Sequence, residues 1–350
     1  MTVDTWVAKH PDSILKKTVK RAEPFEVDYA EFLDDALIEA FDLRASLERN
    51  EDATEEKDKE WWILKPSMSD RGQGIRLFST MEELQGIFDG WEGELSESDD
   101  DEDEEEENVG GKEDGDDDEK DDYINSSHLR HFVAQPYIHP PLLLPELDNR
   151  KFHIRVYVLA VGSMKVYVYR DMLALFAAKP YQAPTSSSSD EEVDVDLDAH
   201  LTNTCLQGTD EAAKASSVHR FWDLPTTSAL SGDLKEKVFD QICEVTGDLF
   251  EAAAREMMIH FQPLEQAFEV YGLDFLVDAQ GTAWLLEVNA FPDFKQTLGG
   301  LKDVVSGFWR GVLGRAVVPF VEDGEEEEKV AESAEDGMVL VRDVDLGRRW

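Results

Sequence analysis

Tyr271-Gly272-Leu273-Asp274-Phe275-Leu276-Val277-Asp278, followed after a short turn by Trp284-Leu285-Leu286-Glu287-Val288-Asn289, is the most informative run in the chain. Two apolar runs of strand-forming residues flank Ala279-Gln280-Gly281-Thr282, a pattern that predicts a β-hairpin. A turn centred between Gln280 and Gly281 sets Asp274 opposite Glu287. Side chains alternate along a strand, so Glu287 and Asn289 share a face, and Asp274 joins them from the neighbouring strand. Three oxygen donors then converge where apolar neighbours make bare charge costly, and a hard cation, Mg²⁺ above all, resolves that cost. Mg²⁺ held by few carboxylates completes its shell with substrate phosphates, so the pattern points to nucleotide chemistry. The plainer alternative is a hairpin whose acidic residues face water.

A chain of 350 residues, 41% hydrophobic, has room for two domains or one large α/β domain with a substantial core. Much of the net charge of −44 is local. Residues 94–122 hold 19 acidic and 2 basic side chains, and residues 186–198 and 322–328 hold 6 acidic ones each. The body is therefore only moderately acidic, and nothing in it resembles the basic footprint of a nucleic-acid-binding protein. Cys205 and Cys243 form no CxxC pair, which fits a reducing compartment better than a disulfide framework. No apolar run approaches the length of a membrane span, and the start Met1-Thr2-Val3-Asp4-Thr5-Trp6 lacks the regions of a signal peptide. The expectation is a cytoplasmic protein with no membrane partner.

Outward from the hairpin, apolar spacing predicts a helix over 27–47, strands at 61–64, 75–78 and 131–135, and a helix over 80–89 whose Thr80-Met81-Glu82-Glu83 start fits a capping box. Residues 152–161 and 165–169 read as a second hairpin turning at Gly162-Ser163, 234–260 as a long amphipathic helix, and 304–318 as a last helix. The acidic runs at 94–122 and 186–198 read as disordered insertions, and the chain from Glu322 as a largely disordered tail. Mixed strands and helices joined by antiparallel hairpins predict an α+β (mixed α/β) fold.

Several segments carry chemistry. Lys65-Pro66-Ser67-Met68-Ser69-Asp70-Arg71-Gly72-Gln73-Gly74 joins two strands with a basic, glycine-containing loop suited to closing over phosphates, the alternative being an ordinary turn. It lacks the GK[ST] ending of a Walker loop. Gln135-Pro136-Tyr137-Ile138 is an extended segment able to present backbone groups and a ring to a purine, or simply a strand end. Lys151-Phe152-His153-Ile154-Arg155 puts Lys151, His153 and Arg155 on one face of a strand, where a triphosphate or acyl-phosphate would relieve their repulsion; a solvated sheet face is the alternative. His200-Leu201-Thr202-Asn203-Thr204 reads as a loop, and His219 beside Arg220 as surface.

The order of these motifs resembles the tubulin-tyrosine ligase-like family of ATP-grasp enzymes. The matching pieces are WWILKPSMSDRGQGIRLF at 61–78, QPYI at 135–138, RKFHIRVYVL at 150–159, HLTN at 200–203 and YGLDFLVD with WLLEVNAFP between 271 and 292. The resemblance implies an ATP-grasp fold, two α+β lobes clamping ATP, spanning 61–320 after an abbreviated N-terminal region 1–60 and before an acidic tail 321–350. It implies a ligase that phosphorylates a carboxylate with ATP and lets an amine attack the acyl-phosphate, with a free amino acid and a protein or peptide acceptor, tubulin among the candidates, as partners. Carried over by motif, Lys65 contacts the ATP phosphates and Arg71, Gly72, Gln73 and Gly74 form the flap. Gln135, Tyr137 and Ile138 hold adenine, and Thr202 and Asn203 lie near ribose and phosphates. Lys151 and Arg155 face the reacting groups, while Asp274, Glu287 and Asn289 bind Mg²⁺.

Three departures bear on the amino-acid half of the site. His153 stands where the family's K-F-D-x-R has aspartate. In Tyr169-Arg170-Asp171-Met172-Leu173-Ala174-Leu175, Met172 replaces the glycine and Leu175 the arginine of Y-x-x-G-x-x-R. Leucine cannot make arginine's two-pronged contact with a carboxylate. An adaptor that binds nucleotide without ligating is accordingly the alternative expectation. Only 64 residues precede Lys65, so the N-terminal domain common in the family is expected to be short or missing.

Overall fold

The hairpin forms, and its turn is tied by one side chain. The computed structural model describes residues 2–67, 73–102, 130–185, 196–202, 217–292, 294, 301–321 and 336–346, with backbone alone at 2 and 93–102. In chain order the elements are α1 (Thr2–Lys9), α2 (Leu15–Thr18), β1 (Glu23–Glu26), α3 (Leu33–Ala36), α4 (Phe41–Glu51), β2 (Trp62–Pro66), β3 (Arg76–Phe78), α5 (Met81–Glu102), β4 (His131–Pro136), β5 (Arg150–Val161), β6 (Lys165–Tyr169) and β7 (Leu173–Pro180). There follow β8 (Val218–Arg220), α6 (Gly232–Glu256), β9 (Phe268–Val277), β10 (Ala283–Asn289), α7 (Lys302–Val312), a π-turn Leu313–Val317, α8 (Val318–Val321) and β11 (Met338–Asp343). At the β9–β10 turn the buried Asp278 carboxylate accepts the backbone N–H groups of Gln280 and Thr282, each at 2.9 Å, and the Trp284 indole N–H at 2.7 Å. Gly281 takes the positive φ of +85° that the turn needs.

The register holds a compensation. Ala283, Trp284 and Leu285 pair with Val277, Leu276 and Phe275, which centres the turn on Gln280 rather than between Gln280 and Gly281. An irregularity between Leu285 and Glu287 then inserts one residue, and Glu287 pairs with Asp274 after all. The expected pair is present through two offsets that cancel.

The chain divides into two compact units, one of Met1–Lys20, Ile138–Gln182 and Asp198–Trp350, the other of Arg21–Tyr137 and Ala183–Leu197. The boundary drawn at residue 60 coincides with neither. The larger unit holds a seven-stranded antiparallel sheet in the order β10-β9-β5-β6-β11, with β7 pairing β5 and β8. Along β5 the even positions Phe152, Ile154, Val156 and Val158 enter one core with Leu273 and Phe275 and with Val238, Phe239, Ile242, Val245 and Phe250 of α6. The odd positions Tyr157 and Leu159 enter a second core with Val304, Phe308 and Val312 of α7. That leaves 151, 153 and 155 as the polar end of an otherwise apolar face. Ser231 caps α6 by accepting the Leu234 N–H at 3.1 Å; the helix ends at Glu256 rather than at 260.

The smaller unit is a four-stranded sheet, β1-β4-β2-β3, around Phe25, Leu33, Leu37, Trp62, Phe78, Phe88, Trp91 and Phe132. The single helix expected over 27–47 is broken into 3₁₀ turns, α3 and α4. Its buried residues, Ala30, Leu33, Leu37, Ala40, Leu43 and Leu47, are often three apart, and the tighter 3₁₀ winding keeps those spacings on the core side. The capping box at α5 is realised: Thr80 Oγ1 accepts the Glu83 N–H and Glu83 Oε2 accepts the Thr80 N–H, both at 3.1 Å.

Other expectations are corrected. α5 does not end at Asp89 but continues to Glu102, into the acidic run; glutamate is a good helix former. Leu197–Ala199 is a 3₁₀ turn at the end of the second acidic run, and 103–122, 186–195 and 322–335 lie outside the described residues. The tail is not wholly structureless: Met338, Val339 and Leu340 of β11 pair with Tyr169, Val168 and Tyr167 of β6. β8 places His219 and Arg220 in a strand against β7 and half-buried, where the sequence put them at a surface. The helical tract Lys302–Val321 is long and apolar enough by length and composition to cross a membrane, contrary to the sequence reading. Its apolar Val304, Phe308 and Val312 are spent on the second core.

The tail strand's packing has a direct test. A Cβ at Gly247 of α6 would sit 2.8 Å from the Val341 carbonyl oxygen of β11. Gly247→Ala is expected to lower unfolding stability in urea by about 1–3 kcal/mol through overpacking. Gly86→Ala in α5, where the added methyl meets nothing within 4 Å, is expected to raise it by about 0.5–1 kcal/mol.

Candidate functional site

β5, β9 and β10 are adjacent strands, and their pairing aligns Arg155 with Asp274 and Asp274 with Glu287 at one level of the sheet. The Arg155 guanidinium donates to both oxygens of Asp274, Nε to Oδ1 at 2.5 Å and Nη2 to Oδ2 at 2.9 Å. Both residues are buried, at 7% and 4% exposure. Burial works against the arginine's charge, but the hydrogen bonds and charge of Asp274 outweigh it and raise its pKa above the usual value. Removing one partner of such a pair costs about 3–5 kcal/mol, because the other is left charged and unpaired.

Lys151 and His153 complete the polar end of β5, at 7% and 5% exposure. A solvated sheet face is therefore excluded. The repulsion expected among three basic groups is relieved in two ways. Asp274 neutralises Arg155, and His153 is not charged: burial, then the field of Arg155, with Lys151 adding and Glu287 opposing, push its pKa down to about 3. His153 Nδ1 lies 2.6 Å from the Thr202 hydroxyl, which brings the 200–202 segment onto β5; His200 and Thr202 are both buried. Nε2 has no hydrogen-bond partner among the described residues and lies 3.6 Å from Asp274 Oδ1.

Glu287 is exposed, and its Oε1 accepts the Asn289 amide N–H at 3.1 Å. The amide's carbonyl oxygen remains an acceptor. Asp274, Glu287 and Asn289 thus form an all-oxygen donor set of the kind Mg²⁺ takes, one or two carboxylates with the rest of the shell left for water and phosphate. The residues fit the ion. Among the described residues no three His, Cys, Asp or Glu side chains form a ready-made cage.

In the smaller unit Lys65 and Gln135 meet, Nζ donating to Oε1 at 3.0 Å across the paired strands β2 and β4. Tyr137 is buried and its N–H donates to the Trp61 carbonyl at 2.7 Å. Gln73 is exposed, and Gly74 takes a φ of +69°. Ile138 is buried and opens the larger unit's segment. Arg71, Gly72 and Asn203 lie outside the described residues.

Two relations were not read from the sequence. Gly272 is the contact surface for Arg155: a Cβ there would lie 2.9 Å from Pro292 Cβ and 3.4 Å from Arg155 Cδ. A glycine inside an apolar strand was the available signal of such a close approach. The second is that His153 and Leu175 are direct cross-strand partners between β5 and β7. Two of the three departures from the family pattern are therefore neighbours, and a neutral imidazole faces a buried leucine with no charge stranded between them.

The family model for tubulin-tyrosine ligases matches residues 7–325. The chain belongs to the tubulin-tyrosine ligase family. A probable tubulin–tyrosine ligase of Schizosaccharomyces pombe is 48% identical to it over 92% of this chain and 73% of that protein. The Saccharomyces cerevisiae probable tubulin–tyrosine ligase PBY1 is 44% identical over 91% of this chain. The chain spans only 40% of that relative's length. Among solved structures, the C-terminal domain of Kluyveromyces lactis Pby1 is similar with a TM-score of 0.64 and 36% identity, covering 98% of this chain and 77% of that one. It is described as an ATP-grasp enzyme interacting with the mRNA decapping enzyme Dcp2. The fold of this chain is ATP-grasp, and its family is one of ATP-dependent ligases.

The buried neutral His153 makes stability depend on pH. Its folded pKa lies below the ordinary 6.5, so between about pH 6.5 and 3 the unfolded chain binds a proton that the folded chain refuses. Its contribution is present above that window and is lost as pH falls through it. His153→Gln removes the effect. Between pH 7 and 5 the wild type is expected to lose about 2 kcal/mol more than this variant in urea melts; equal losses would show that His153 is not held neutral.

Proposed function

We propose that this chain is an ATP- and Mg²⁺-dependent carboxylate–amine ligase that joins an amino acid to a protein or peptide. The observation that carries this reading is the alignment of Arg155, Asp274 and Glu287 across three adjacent strands, with Asn289 on Glu287 and Lys151 on the same face as Arg155. Membership of the tubulin-tyrosine ligase family supports it. In the proposed reaction a carboxylate oxygen attacks the γ-phosphorus, the bond to ADP breaks, and the amine then attacks the acyl carbon and expels phosphate. Lys65 and Gln135 bind nucleotide with Gln73, Gly74, Tyr137, Ile138 and Thr202; Lys151 and Arg155 stabilise the charge that develops on the transferred phosphoryl group. Asp274, Glu287 and Asn289 would hold Mg²⁺, which supplies further charge neutralisation.

The acceptor belongs to the class of proteins or peptides. The name of the S. pombe relative supports tubulin as one to test, and the interaction described for the K. lactis domain supports a protein partner. Leu175 and Met172, both fully buried, favour a second reading in which nucleotide is bound without ligation, since neither offers a cation to an amino-acid carboxylate.

The test is incubation with labelled ATP, Mg²⁺, a panel of amino acids and cell extract, beside Glu287→Gln. ADP release that depends on an amino acid, with label transfer, is expected from the wild type, and at least about a hundredfold less from the variant, as for loss of one electrostatic stabiliser. Tight ATP binding with no turnover under any condition would replace the ligase with the adaptor.

A further inference from the structure

Arg155 and Asp274 share two hydrogen bonds, yet the proposed reaction draws them toward different partners, one to an anionic substrate and the other to a cation. An anion that draws Arg155 away leaves a buried carboxylate without its partner, and a buried charge in that condition is strongly disfavoured. His153 is placed to meet that need. Its Nε2 is buried, lacks a hydrogen-bond partner among the described residues, and lies 3.6 Å from Asp274 Oδ1. That is about 0.7 Å beyond an ordinary N–H···O distance.

The ring's tautomer follows from its two neighbours. With the proton on Nδ1, the Nε2 lone pair would face the Asp274 carboxylate, an unfavourable approach. With the proton on Nε2, the Thr202 hydroxyl donates to the Nδ1 lone pair across their 2.6 Å contact, and Nε2–H faces Oδ1. Thr202 thereby sets the direction of the donor. A neutral donor suits the task better than a cation, because it steadies the carboxylate without cancelling the charge that a metal ion requires.

We infer that His153 is a positioning residue that takes hold of Asp274 Oδ1 through Nε2–H when Arg155 turns to an anionic ligand, leaving Oδ2 for a divalent cation. Arg155–Asp274 is then a resting contact, and Thr202–His153–Asp274 the arrangement that replaces it. The inference rests on the nucleotide-binding reading above.

The experiment uses the full chain labelled with ¹⁵N, Mg²⁺ and the non-hydrolysable ATP analogue AMP-PNP, with His153→Gln and His153→Leu beside the wild type. Eight histidines give a tractable spectrum, and His153→Gln assigns the resonance. His153 is expected as the Nε2–H tautomer before addition, with its Nε2–H proton moving downfield on saturation as the hydrogen bond shortens. Calorimetry is expected to show Mg·AMP-PNP bound about tenfold more weakly by His153→Leu, the worth of one hydrogen bond to a charged group. Glutamine keeps a neutral donor and is expected to restore affinity to within about threefold, which a packing role alone would not predict. An unmoved proton at saturation overturns the inference, even if the leucine variant fails to fold. Equal affinity of wild type and His153→Leu overturns it alone; failure of the wild type to bind Mg·AMP-PNP overturns the nucleotide reading and this inference together.

Discussion

The buried ion pair between Arg155 and Asp274 is the constraint around which the larger unit is arranged. Two charges are removed from water at the centre of an antiparallel sheet, which is tolerable only with close, two-pronged geometry. That geometry requires β5 and β9 in one register, and it requires the backbone at Gly272 to lie against the arginine's aliphatic stem. The register then dictates the rest. It sends Phe152, Ile154 and Val156 to the α6 core and Tyr157 and Leu159 to the α7 core, so the apolar packing on both faces holds the pair as firmly as the pair aligns the strands.

Charge at this end of the sheet is balanced locally. Arg155 is matched by Asp274, His153 is neutral, and the position across from it, Leu175, carries no charge. Exposure rises from Asp274 to Glu287, so the ladder runs from dry to wet. A carboxylate at the wet end binds a hard ion without the full desolvation penalty met at the dry end. Such an arrangement separates two demands on the same three strands, burial for rigidity and access for chemistry.

How much of this was legible depended on whether the signal was local. Alternation along Lys151–Arg155 and along the hairpin is local, and it gave the right faces and the right Asp274–Glu287 pair. It could not reveal that the face was buried, because burial depends on what packs above it. Nor could it reveal the irregularity at Leu286, which has no composition of its own and showed only because it cancelled a misplaced turn. Composition misled in two places. The acidic run hid the end of α5, where helix propensity outlasted apolar patterning, and the tail's charge hid Met338–Asp343, whose partner β6 lies about 170 residues earlier. The 27–47 tract failed for a subtler reason: three- and four-residue spacings are shared by α- and 3₁₀-helices, and the sequence alone does not choose between them.

The chain's acidity bears on the site in one further way. A net charge of −44 sets a field that disfavours the approach of any polyanion, ATP included. At physiological ionic strength the field of exposed charges is screened beyond about 8 Å, so charges near the polar end of β5 count for more than the total. Nearer charges then decide. Within the larger unit Arg155 is matched by Asp274 and His153 is held neutral, so the basic residues of β5 carry less net positive charge than their number implies. On the proposed reading, a divalent cation bound with the nucleotide would supply positive charge of its own at the Asp274–Glu287 end of the ladder. On that reading the metal ion and the nucleotide would act in this acidic protein as one ligand rather than two.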